Sequence, residues 1–130
     1  MSRKIGMWLY SNGGGDKIQK KIVKKLKERE IETLIDINLR QAVAKNGHIV
    51  HKKTNVDELD LFFSYNAGEQ TQYQAFLYQA LNRVMPMINS YEAFALTEDK
   101  FQTSFLLQKH GIATPDFQLC HRDDSKHLDR

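Results

Sequence analysis

Short unbroken apolar runs alternate along this chain with segments whose apolar residues return at helical spacing. Ile5-Gly-Met-Trp-Leu-Tyr10 is the first run and predicts a strand buried on both faces. Ser11-Asn-Gly-Gly-Gly15 breaks it. Asp16, with Gln19 three residues on, has the form of a capping box that opens a helix. Ile18, Ile22, Val23 and Leu26 give this helix one apolar stripe, while Lys17, Lys20, Lys21, Lys24, Lys25 and Lys27 cover the remainder. Thr33–Ile37 predicts a second strand. His48–His51 predicts a third, paired with its neighbours across the turn at Asn46-Gly47.

Leu61–Tyr65 is another buried run, ended by Asn66-Ala-Gly68. Tyr73, Phe76, Leu77, Ala80, Leu81 and Val84 then recur at i, i+3, i+4, i+7, i+8 and i+11, which predicts a helix with these residues, aromatics included, in the core. Met87-Ile88 supplies a short strand past Pro86. Ser90 is placed to cap a short helix through Ala95, and Thr97 to cap the next one. Phe101, Phe105 and Leu106 are expected to face inward on that last helix, with Gly111 as its left-handed C-cap. The order strand-helix-strand, then strand-helix-strand-helix, predicts a small open α/β domain with a mostly parallel sheet flanked by helices, over residues 1–117. Residues 118–130 have lost the apolar periodicity and read as a linker or the start of a further domain.

Composition narrows the class. At 130 residues the chain is one domain's worth of core, with 41% hydrophobic and 27% charged residues, as in ordinary globular proteins. A net charge of +3 is far from the basic excess of a dedicated nucleic-acid binder. The lysines of the first helix surround it and have no interleaved aromatics, so a solvated face accounts for them and no nucleic-acid partner is expected. No apolar run approaches the ~18 residues that span a bilayer, so no membrane partner is expected. One cysteine, Cys120, excludes an intrachain disulfide and fits a reducing cytoplasm. A homo-oligomer is compatible with this composition.

Several residues carry candidate chemistry. Gly13–Gly15 between strand and helix invites a dinucleotide loop, with Asp36 as ribose ligand. Against that, Ile18 stands where the third glycine of the fingerprint belongs, and the Asp16 carboxylate would claim the amides a pyrophosphate needs. A tight turn is the better account. Cys120, His121 and His127 lack a zinc spacing. His48 and His51, at i and i+3 on a strand, point to opposite faces and do not form a joint ligand pair. Lys100, in the first turn of a helix, can project from the end whose dipole favours anions.

Asn89-Ser90, Glu92-Ala93, Asp99-Lys100, Leu106-Leu107, Gly111-Ile112 and Pro115 resemble, in type and spacing, the hinge at which the N-terminal domain of ATP-grasp ligases meets their nucleotide-binding domains. The ribosomal-protein glutamate ligase and glutathione synthetase branches are the most similar in pattern. Tyr91 stands where a proline is usual, and Ala113-Thr114 replaces a common Pro-Val step. The resemblance implies a pre-ATP-grasp domain truncated before the ATP-grasp domains, which would be its missing C-terminal partners. It further implies that Lys100 contacts ATP phosphates, that ATP and magnesium are the full-length cofactors, and that an amino-acid or peptide-type substrate is ligated. Ser11, Asn12, Asn66 and Glu69 would then lie on the acceptor-substrate side. The alternative from the residues alone is a free-standing α/β module that binds a nucleotide or a partner without catalysis.

Overall fold

Strand β1 (Lys4–Leu9) is an interior strand of a parallel sheet because its residues are apolar on both faces, with Met7, Trp8 and Leu9 all buried. The computed structural model describes residues 2–9, 15–65 and 71–123. It divides into two compact units, Met1–Tyr91 and Glu92–Arg130.

In the first unit, β1 is followed by α1 (Gly15–Lys27) and β2 (Glu32–Leu34). The chain then makes a three-stranded antiparallel sheet from β3 (Val43–Lys45), β4 (His48–His51) and β5 (Thr54–Asn55), before β6 (Leu61–Tyr65), α2 (Gln72–Val84) and β7 (Met87–Ile88). The main sheet has the order β2-β1-β6-β7, and every neighbouring pair is parallel. The expected α/β architecture with a parallel sheet is therefore present, with a small antiparallel sheet between its halves. The turn expected at Asn46-Gly47 joins β3 to β4, both residues having positive φ (53° and 79°).

The two faces of β1 are filled differently. Ile5 and Met7 share an apolar groove with Ile22 and Leu26 of α1 and with Leu61 and Phe63 of β6. Gly6 faces the other way, where a Cβ would come within 2.7 Å of Leu59 Cδ1 and 2.9 Å of Ile37 Cδ1. Only a residue without a side chain lets those two methyl groups approach the strand so closely.

Four local expectations need correction. The helix α1 begins at Gly15, so Asp16 lies within its first turn and is not its cap; there its charge still favours the helix dipole. The second strand ends at Leu34 and not at Ile37, because Asp36 takes a left-handed conformation (φ 59°) that turns the chain; the Ile37 amide then bonds back to the Met7 carbonyl at 3.0 Å. The buried stripe of α2 is Gln74, Leu77, Tyr78 and Leu81, whereas Phe76 is 58% exposed, and Tyr73, Ala80 and Val84 are exposed as well. Two polar residues enter the core because their polar atoms are satisfied there. Gln74 is held by Arg40 and Thr71, and the Tyr78 hydroxyl donates to the Asn89 carbonyl. The capping box lies here, at Thr71 and Gln74.

The fourth correction concerns the second unit, built on α3 (Tyr91–Glu98) and α4 (Lys100–Lys109). Phe101, Phe105 and Leu106 are exposed, and neither helix has a buried residue. A segment of this size, on the order of 40 residues, cannot enclose a core of its own. Phe101 stacks against Phe105 and edge-on against Phe117, each at 5.9 Å between ring centres. Gly111 does close α4 in the left-handed conformation (φ 71°). The Gly111 amide bonds the Gln108 carbonyl and the Ile112 amide the Leu107 carbonyl, which is the Schellman pattern. Among the described residues no helix is long and apolar enough to cross a membrane.

Candidate functional site

The strand order of the parallel sheet reverses beside β1. From β1 the chain moves outward to β2 on one side, and later returns to β6 on the other side of β1. Leu9 and Tyr65 are register partners at the carboxyl ends of these two strands. An α/β sheet opens a ligand crevice at such a reversal of strand order. Ser11, Asn12, Asn66 and Glu69 follow these two strand ends in sequence and lie outside the described residues, as do Gly13 and Gly14. Gly15 is buried as the first residue of α1.

Lys100 is the first residue of α4 and is exposed. Its helix is capped by Asp99 and not by Thr97. Thr97 sits within α3, where its hydroxyl donates to the Ala93 and Phe94 carbonyls at 2.9 and 3.0 Å. The Asp99 carboxylate accepts the Gln102 amide at 2.9 Å and the Gln102 side-chain amide at 3.0 Å. An anion at this terminus would therefore meet the Lys100 ammonium beside a carboxylate that already occupies one of the free amides.

A second constellation comes from the small antiparallel sheet. His48 opens β4 directly after the Asn46-Gly47 turn, and Asp57 and Glu58 sit on a single 3-10 turn, Val56–Glu58, anchored by the fully buried Val56. His48 Nδ1 lies 2.9 Å from Asp57 Oδ2 and 3.6 Å from Glu58 Oε1. The other Asp57 oxygen accepts the Ile49 amide at 2.7 Å. Since an ionised carboxylate can only accept, Nδ1 carries the proton in the His48–Asp57 bond. That bond holds the His48 imidazole above its ordinary pKa, against the opposing effect of desolvation and helped by the charges of Asp57 and Glu58. Burial pushes the Asp57 carboxyl up, but the Ile49 amide and His48 outweigh it and leave Asp57 below the usual carboxylate range. A groove of about 340 Å³ opens beside the pair, lined by His48, Asp57, Lys45 and, from α2, Ala80 and Val84.

Sequence reasoning set the two histidines on opposite faces, and the structure agrees: His48 is half-exposed and His51 is buried. It missed the carboxylates facing His48. His48 and Asp57 are nine positions apart in the chain, and only the hairpin turn hinted that the segment doubles back. Desolvation holds the His51 imidazole below its ordinary pKa, with a further push from Lys52. Among the described residues its Nε2 finds no hydrogen-bond partner. At the other end of the chain, His121 Nδ1 pairs loosely with Asp123 at 3.5 Å, and Cys120 is half-buried with a free thiol; His127 lies outside the described residues. Compared with known proteins, the chain matches no family model and no curated sequence.

Proposed function

We propose that this chain provides the N-terminal, substrate-side part of an ATP-dependent carboxylate-amine ligase of the ATP-grasp type. The observation that carries the reading is the second unit. Two successive helices, the second beginning at Lys100 and ending in a Gly111–Ile112 Schellman exit ahead of Pro115, carry the residues on which the sequence resemblance rests. The parallel sheet, with paired strand ends at Leu9 and Tyr65, supports it by offering an edge for the acceptor substrate.

In this chemistry a carboxylate oxygen attacks the γ-phosphorus of ATP, giving an acylphosphate and ADP. An amine then displaces phosphate to form the amide. The protein's contribution is positioning and charge neutralisation, so a lysine that reaches a phosphate oxygen lowers the barrier where negative charge is redistributed. Lys100 supplies one such charge. Magnesium, bound together with ATP, supplies the remaining neutralisation. The donors that would hold it, a second phosphate-binding lysine and a glycine-rich lid belong to the partner ATP-grasp domains. Ser11, Asn12, Asn66 and Glu69 are the substrate-contact candidates of this chain.

The test is ADP release that depends on both a carboxylate and an amine, measured on protein expressed with its ATP-grasp domains. Turnover with a raised KM for ATP or a lowered kcat in Lys100→Ala is expected. Unchanged ATP kinetics in that variant would remove Lys100 from the site. Failure of every carboxylate-amine pair to release ADP would overturn the ligase reading in favour of a non-catalytic binding module.

A further inference from the structure

We propose that His48 Nδ1, Asp57 Oδ2 and Glu58 Oε1 form a binding site for a divalent transition-metal ion, best matched by zinc, with a fourth position open to the neighbouring groove. The inference stands independently of the ligase reading.

Distance is the first argument. Zinc takes nitrogen at ~2.0–2.1 Å and carboxylate oxygen at ~2.0–2.2 Å in a tetrahedron, which puts neighbouring ligand atoms about 3.3 Å apart. The two separations from His48 Nδ1, 2.9 and 3.6 Å, bracket that value. All three donor atoms lie within 4.8 Å of one another. Small side-chain adjustments bring them onto one ion, and the ion then replaces the proton that His48 and Asp57 share.

Pre-organisation is the second. Asp57 is fixed by the Ile49 amide through the oxygen that does not face His48, leaving Oδ2 for the metal; ligating carboxylates are ordinarily held this way by a second hydrogen bond. The 3-10 turn that presents Asp57 and Glu58 is pinned by Val56 in the core, and His48 is set by its pairing with Lys45 across the hairpin. The ligands therefore come from two elements whose relative position the fold already fixes.

Donor chemistry selects the ion. One imidazole and two carboxylates suit zinc and its first-row neighbours. Magnesium and calcium call for an all-oxygen set of six or more, which three side chains including a histidine do not supply. Three protein ligands leave a position free, and the groove of about 340 Å³ beside His48 and Asp57 leaves room there for water or a small anionic ligand, with Lys45 on its wall.

The experiment is zinc titration of the chelator-stripped chain by calorimetry, with cobalt substitution followed by visible absorption. One zinc per chain is expected, weakened more than about tenfold in His48→Gln and in Asp57→Asn, and unchanged in His121→Gln. Asparagine keeps an acceptor for the Ile49 amide, so the Asp57 variant preserves the local fold. Should either variant unfold, imidazole NMR of the wild-type chain decides: zinc-dependent shifts at His48 support the site. Shifts confined to His51, His110, His121 or His127 overturn it, as do zinc binding that survives His48→Gln and the absence of saturable binding below about 100 µM.

Discussion

Arg40 donates its Nε to Gln74 Oε1 at 2.9 Å, linking the 3-10 turn Leu39–Gln41 to the first turn of α2 across 34 residues of chain. The same Gln74 oxygen also accepts the Thr71 amide and the Thr71 hydroxyl, both at 3.0 Å. Gln74 is fully buried, so one amide oxygen caps the helix and ties it to the segment that leads out of the parallel sheet. A buried polar group is tolerated when its partners converge on it as these do.

Gln74→Leu keeps comparable volume and removes that acceptor. The Thr71 amide then loses its partner at a helix start. We expect a loss of about 1–3 kcal/mol, from the unsatisfied group and the broken capping box together. Gln74→Glu keeps the acceptor oxygen and gains charge attraction to Arg40, so it should cost less than the leucine variant. Urea unfolding of the two variants checks the order, and equal losses would show that the oxygen is not what matters.

Gly6 tests the packing of β1 on the side away from α1. Valine there would drive its methyl groups into Leu59 and Ile37, both of them buried. Overpacking of this kind costs about 1–3 kcal/mol. The melting temperature of Gly6→Val should fall accordingly, while Gly47→Ala, where nothing lies within 4 Å, should lose only what its positive φ imposes.

How far the sequence foretold this molecule depended on whether a signal was local. The runs at Ile5 and Leu61 became parallel strands because a continuous apolar segment has only one comfortable place, the middle of a sheet. Asn46-Gly47 became the hairpin turn because its backbone requirement lies within two residues. The stripe of α2 misled because counting apolar residues cannot see that Gln74 finds Arg40, or that Tyr78 finds the Asn89 carbonyl; with those partners, the core takes the polar residues and leaves Phe76 outside. The His48–Asp57–Glu58 cluster was invisible for the same reason, since its geometry comes from a chain reversal and a separate 3-10 turn. Lys100 was conspicuous, but its cap was misplaced by two residues: Asp99 binds the N3 amide while Thr97 is still bonded into the preceding helix.

Acid should destabilise the first unit through His51. Burial holds its folded pKa below the ordinary value, so near and below about pH 6.5 the unfolded chain binds the proton more readily. The stabilisation is fully present above the unfolded value and is lost as pH falls through the folded one. His48 has the opposite sign, its raised pKa giving stability that is present in acid and lost as pH rises past the folded value. Measured by urea unfolding in a His48→Gln background and in the presence of chelator, His51→Phe should flatten the acid limb. A slope that persists unchanged would assign it to other groups.

Lys100 allows the structural and chemical roles of one residue to be separated. It is exposed at the positive end of α4, where a cation is slightly unfavourable. Lys100→Ala should therefore leave stability unchanged or raise it by up to about 1 kcal/mol. Asp99→Ala, in contrast, removes a cap that accepts the Gln102 amide and should destabilise the helix by about 0.5–2 kcal/mol. If Lys100 serves phosphate, the two variants diverge. Lys100→Ala loses ATP affinity with an intact α4 by hydrogen exchange, whereas Asp99→Ala shows faster exchange over residues 100–104. A Lys100→Ala chain whose α4 also exchanges faster would mark the lysine as part of the fold and withdraw it from the nucleotide.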